Sequence, residues 1–163
     1  MLVGVVSDTH NNIRSIKSII SIFNKEKVDY VIHTGDITNA ASLRKFSELN
    51  CQLVGVFGNN DRNESGLKEV CKEFNFSFQE PPFLLNLHNK RIAIFHEPDS
   101  IEEYISKNSN IDLVLFGHTH RYKKETKNKV LYFNPGESAG FFEGKNSLGI
   151  VDLDNLEVKR IFF

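Results

Sequence analysis

Three short apolar runs, at residues 2–7, 29–33 and 51–57, alternate with three segments whose apolar residues recur at helical spacing. Residues 12–23 bring Ile13, Ile16, Ile19, Ile20 and Phe23 to one face, with Asn11 or Asn12 as N-cap. Residues 40–49 do so with Leu43, Phe46 and Leu49, and residues 66–74 with Leu67, Val70 and Phe74. A βαβαβα order requires parallel strands joined by crossover helices. Pro81-Pro82 then interrupts the chain. Beyond it, runs 83–87 and 91–96 flank His88-Asn89-Lys90 and predict a hairpin. A helix over 100–107, capped by Ser100, and a buried strand over 112–116 follow, then strands over 121–124, 130–134, 147–152 and 158–162. No repeat or linker interrupts the pattern. It predicts one domain over residues 1–163, with everything from Phe83 onward forming a second sheet. Two sheets packed face to face with helices outside is the expected α/β arrangement.

The ends of the apolar runs carry the chemistry. They read Asp8-Thr9-His10, Gly35-Asp36, Gly58-Asn59-Asn60-Asp61, Phe95-His96 and Gly117-His118-Thr119-His120. Ligands of open α/β sheets gather beyond the carboxyl ends of strands, so these segments are expected to converge. Asp8 and His10 alternate, as do His118 and His120, so in extended backbone each pair leaves one face. Asp36 has two oxygens and can bridge two cations, while Asn59 and the imidazoles add ligands without charge. Mixed nitrogen and oxygen donors suit a first-row divalent metal better than calcium or magnesium. Gly35, Gly58 and Gly117 allow tight turns before the ligands. Four of the six histidines fall in these segments, and one metal pair would satisfy them all.

Composition narrows the function further. Hydrophobic residues make up 40% and charged residues 25% of 163, an ordinary globular balance. The net charge of −1 gives no field to hold a polyanion, so nucleic acid is an unfavoured partner. Cys51 and Cys71 form no CxxC motif and suit a reducing cytoplasm. The apolar N-terminal run is short, reads as a strand rather than a signal peptide, and no segment is long enough to span a membrane.

As an ordered set these motifs, with Asn134-Pro135-Gly136, resemble the calcineurin-like metallophosphoesterases, specifically the small single-domain YfcE-type phosphodiesterase branch. The resemblance runs from Met1 to about Gly144 and implies an αββα sandwich with a dinuclear centre. It implies one metal on Asp8, His10, Asp36 and His120, a second on Asp36, Asn59, His96 and His118, and a bridging water or hydroxide as nucleophile. Asp36, Asn59 and Asp61 are the candidate catalytic residues, Asp61 as a supporting carboxylate. Two divalent ions are the expected cofactors, manganese first, with nickel, iron or zinc as alternatives. The expected substrates are small phosphodiesters and some activated monoesters. Small members are often dimers or larger, so a homo-oligomer is a further expectation. A Vps29-like retromer scaffold with a vestigial metal site is the alternative, and a nuclease a third reading.

Three positions depart from the family pattern. Asn60 stands where larger members carry a His thought to protonate the leaving group, and an amide is a poor acid. Glu97 replaces a Gly after His96, and Asn39 replaces the second Asp of the longer Gly-Asp motif. Arg62 could bind a phosphate oxygen but reads as solvated. His33 reads as packed or supporting, and His88 as an exposed turn residue. Phe141-Phe142 reads as core in preference to a substrate-flanking pair.

Overall fold

The computed structural model describes residues 1–142 and 144–163. The parallel half forms as the pattern requires. Strands β1 (Leu2–Val6), β2 (Tyr30–His33) and β3 (Gln52–Val56) run parallel, joined through helices α1 (Ile13–Glu26) and α2 (Ala40–Lys45). Asn12 caps α1 by accepting from the Ser15 amide, and Asn39 caps α2 by accepting from that of Ser42. The helix expected over 40–49 tightens into a 3-10 turn at Phe46–Glu48. Helix α3 (Leu67–Phe74) leads to β4 (Ser77–Gln79), a strand the sequence does not signal.

The second sheet begins with the hairpin of β5 (Phe83–Leu87) and β6 (Lys90–Ile94), whose two-residue turn puts His88 and Asn89 at positive φ. Helix α4 (Ile101–Lys107) leads to β7 (Leu113–Leu115), and β8 (Lys123–Lys127) and β9 (Val130–Asn134) form another hairpin. The order in this sheet is β5-β6-β7-β9-β8.

One expectation fails here. The last two strands, β10 (Ser147–Asp152) and β11 (Glu157–Phe162), do not belong to the second sheet. They return to the first, where β10 pairs antiparallel with β1, giving the order β11-β10-β1-β2-β3-β4. The free side of β1 accepts them, because a central strand must pair both edges.

Strand alternation divides the core into layers. Val3, Val5, Ile32, Val54 and Val56 meet Ile92, Ile94, Leu113, Leu115 and Phe133 between the sheets. Ile16, Ile19, Phe23, Leu43, Phe46 and Val70 pack helices α1–α3 on the outer face of the first sheet. Ile101 of α4 meets Ala93, Phe95, Val114 and Phe116 on the second. The result is helix, sheet, sheet, helix. The carboxyl ends of β1, β2, β3, β6 and β7 open toward one rim, where the polar segments lie.

Candidate metal centre

All seven proposed ligands reach this rim, by a route that differs from simple alternation. Asp8, His10, Asp36, His118 and His120 have φ between 37° and 63°. Left-handed backbone is uncommon outside glycine, least so for Asn, Asp and His, and it clusters at functional sites. The Asp8-Thr9-His10 and His118-Thr119-His120 pairs therefore converge through turns, not along extended strands. The glycines serve close approach as much as turning. A Cβ on Gly58 would run into Asp36 Oδ1, and one on Gly117 into Ser7 Oγ.

Two clusters share Asp36. In the first, the Nε2 atoms of His10 and His120 lie 3.4 Å apart. They stand 3.8 and 3.4 Å from Asp8 Oδ1, and His10 is 3.5 Å from Asp36 Oδ2. In the second, Asn59 Oδ1 is 3.0 Å from both His96 Nε2 and His118 Nδ1, and His96 Nε2 is 3.4 Å from Asp36 Oδ1. Among the described residues, Asp8, His10 and His120 form one group able to share an ion, and Asp8, Asp36 and His96 another.

The donors are held by a surrounding frame. Asp8 Oδ2 accepts from Ser7 Oγ (2.5 Å) and the His118 amide (3.1 Å), while its Oδ1 is buried with no donor. A buried unpaired carboxylate oxygen is costly unless a cation faces it. His96 Nδ1 lies 2.8 Å from the Thr34 carbonyl, which fixes the proton there and leaves Nε2 free to ligate. This donor set fits divalent metal ions.

Electrostatics follow from the same contacts. Burial pushes the Asp36 carboxyl up, but hydrogen bonds from His96 and Asn60 win and hold it well below the usual carboxylate range. Burial pushes His96 down, yet its contact with Asp36 raises it above the ordinary histidine value. His120 is raised chiefly by Asp8.

The remaining candidates find clear places. Asp61 makes its hydrogen bonds to backbone rather than to the other candidate side chains. Its carboxylate accepts the amides of Asp36 (2.8 Å), Thr38 (2.7 Å) and Gly58 (2.7 Å), tying the loops after β2 and β3 together. Asn60 donates its side-chain amide to Asp36 Oδ2 (2.7 Å) and its backbone N–H to Oδ1 (3.0 Å). Glu97 is turned to Arg62 at 3.0 Å, so its charge is balanced. Asn134 Nδ2 donates to the Gly117 carbonyl and to Thr119 Oγ1, bracing the His118–His120 turn. His33 is fully buried: the Gly35 amide donates to Nδ1, and Nε2–H donates to Thr9 Oγ1. His88 is exposed and pairs with Asp154 at 2.7 Å.

Phe141 and Phe142 overturn the core reading, with 59% and 54% of their surface exposed. Phe141 lies against the rings of His10 and His120. The sequence reading also passes over Glu137, whose buried carboxylate accepts three backbone amides beneath these phenylalanines. A lone Glu in a polar stretch, Gly136-Glu137-Ser138, carries no periodic signal.

Residues 1–156 match the sequence profile of the calcineurin-like phosphoesterase superfamily domain. Phosphodiesterase MJ0936 of Methanocaldococcus jannaschii is 34% identical over 163 residues, covering 99% of this chain and 98% of its own. Phosphodiesterase YfcE of Escherichia coli K12 is 23% identical, covering 93% of this chain and 88% of its own. The solved structure of an archaeal phosphodiesterase superposes with a TM-score of 0.91 at 33% identity over the whole of both chains.

Proposed function

This chain belongs to the calcineurin-like phosphoesterase superfamily and is a hydrolase, and we propose that it cleaves small phosphodiesters with two divalent metal ions. The observation that carries this reading is the convergence of six donor side chains around a seventh, Asp36, with Asp8 Oδ1 buried and lacking a donor. Asp8, His10, Asp36 and His120 would hold one ion, and Asp36, Asn59, His96 and His118 the other, with Asp36 shared. Manganese is the preferred ion, with nickel, iron or zinc as alternatives, since such mixed donor sets select by availability.

When bound, such a pair supplies a nucleophile at neutral pH and neutralises charge growing on the phosphoryl oxygens. The chain's own residues supply the geometry. Asn60 grips both oxygens of Asp36 and fixes its plane. Asp61 sets the distance between the Asp36 and Asn59 turns. Ser7 and the His118 amide occupy Asp8 Oδ2, so Oδ1 alone faces inward. Asn60 is committed to Asp36, and an amide does not give up a proton readily. Esters whose leaving group needs little protonation are therefore favoured, which supports activated aryl diesters over alkyl ones. The near-neutral charge of the chain supports small substrates rather than polymers. The two unpaired cysteines support a cytoplasmic setting, and we read residues 1–163 as one phosphoesterase domain. Among the described residues no helix is long and apolar enough to cross a membrane.

A Vps29-like scaffold is the competing reading, and the complete ligand set favours hydrolysis over it. The test is hydrolysis of bis(p-nitrophenyl) phosphate and of p-nitrophenyl phosphate by protein loaded with each metal in turn. The expected result is metal-dependent turnover, faster on the diester. Asp36→Asn should lower kcat by about 100-fold or more, on the scale seen when one transition-state-stabilising group is lost. Undiminished turnover in Asp36→Asn would sink the shared-ligand role.

A further inference from the structure

Phe141 stands where the centre meets solvent. Its ring stacks parallel on His120, with centroids 5.4 Å apart and planes 4° apart, and leans on His10 at 5.1 Å. Even so, most of its surface remains open. Phe142 differs: its ring faces the ammonium of Lys145 at 5.6 Å. A lone exposed aromatic needs no explanation, but the loop that displays Phe141 is built from beneath. Glu137 is 1% exposed, and its carboxylate accepts the amides of Ala139 (2.6 Å), Gly140 (2.9 Å) and Phe142 (3.2 Å). Asn12 Nδ2 donates to the Ala139 carbonyl at 2.7 Å, and the Ser138 amide donates to the Asp8 carbonyl at 3.3 Å. Gly140 turns the chain at φ +82°. The loop is thereby fastened to a proposed metal ligand and to the start of α1, and the height of the Phe141 ring over the two histidines is set.

We infer that Phe141 determines specificity by forming an aromatic wall on which a planar aromatic group of the phosphodiester stacks. The inference rests on the reading of the centre as a phosphodiesterase. A second observation points the same way. With Asn60 spent on Asp36, no proton donor stands at that position, and aromatic alcohols leave without one more readily than alkyl alcohols. A phenol such as the tyrosine side chain has a pKa of about 10, far below that of an alkyl alcohol.

The test is calorimetric binding of phenylphosphonate and methylphosphonate to the manganese-loaded protein, with no turnover required. Aromatic stacking predicts tighter binding of the phenyl compound by about threefold to tenfold. Phe141→Ala brings the ratio to near one, Phe141→Tyr keeps it, and Phe142→Ala keeps it. In turnover, Phe141→Ala raises KM for bis(p-nitrophenyl) phosphate by a similar factor, with a smaller change in kcat. A ratio near one in the wild type, or a ratio that survives in Phe141→Ala, overturns the inference. Wild-type protein that turns over the diester without phenyl preference leaves the hydrolase reading standing and removes only the wall. Phenyl preference in a protein that hydrolyses no diester with any metal supports the wall and removes the phosphodiesterase reading.

Discussion

Asp61 braces the centre through the backbone. Replacing it with Ala leaves the amides of Asp36, Thr38 and Gly58 without their acceptor. Unpaired buried donors cost about 1–3 kcal/mol each, less where water enters. Asp61→Ala should therefore lose about 2–4 kcal/mol in urea unfolding. It should also weaken metal binding by about 10- to 100-fold, as loss of a supporting contact does. Unchanged metal affinity would mean the two loops hold their spacing without it. His33 makes a separate prediction. Burial pushes its pKa down to about 3, so the folded ring stays neutral where the unfolded ring, near 6.5, takes a proton. The stability it allows is fully present above pH 6.5 and is lost as pH falls toward 3, at up to about 1.4 kcal/mol per unit. His33→Gln should flatten that part of the curve of Tm against pH, and an identical slope would refute the assignment. The place of these residues was legible in part: the sequence marks Asp61 as a supporting group and His33 as packed or supporting. It carries no sign that five of the proposed ligands adopt left-handed backbone, because φ depends on the turn closed around each residue.

At the scale of elements, α1 and the loop before β10 share one side chain. Asn12 Oδ1 caps the helix while its Nδ2 holds Ala139. Asn12→Ala should remove about 1 kcal/mol, a fall of about 2–4 °C in Tm for a chain of this length. It should also raise KM for aryl diesters, since the Phe141 loop loses a tether; a Tm change with KM unmoved would separate the two roles. Strands with apolar runs, β1, β2, β3, β6 and β7, were readable because burial writes itself into composition. One other was not, and one was misplaced. β4 spans three residues, Ser77-Phe78-Gln79, of which only Phe78 is apolar, and β8 is exposed along its whole length. Strand β8 was expected at 121–124 and lies at Lys123–Lys127, where backbone pairing to β9 decides its register. Phe141 differs for the opposite reason: two adjacent phenylalanines look like core, but Glu137 below them and Asn12 beside them hold that loop outside.

For the molecule as a whole, the metals should be part of the stability. A ligand that binds only the folded state at 100 times its Kd adds about 2.7 kcal/mol, so chelation should lower Tm and restoring manganese should recover it. The proton linkage has a definite sign. In the metal-free protein His96 and His120 are raised above the ordinary value, so their contribution is full below about pH 6.5 and is lost as pH rises through their folded pKa values. Metal needs neutral rings, so apparent metal affinity should rise with pH across the same range, with protons released on binding. Calorimetry in two buffers of different ionisation enthalpy measures that release. Zero release near neutrality would show the rings already neutral. The whole-molecule arrangement was legible as two facing sheets, but not the return of β10 and β11 to the first. Nothing local in residues 147–162 names their partner; only the vacant edge of β1 does.

That return has a consequence for synthesis. Strand β1 leaves the ribosome long before residues 147–152, yet one of its edges waits for them. Until then β1 can pair only with β2, and the Glu137 loop, which bridges Asp8 to β10, lacks the contact with Ser147 that closes its far side. All seven proposed metal ligands have been translated by position 120, but the pocket they line takes its final shape only once β10 has followed. A nascent chain stalled before residue 147 should therefore hold its ions weakly and expose an open sheet edge, and completion of the last hairpin is what seals both.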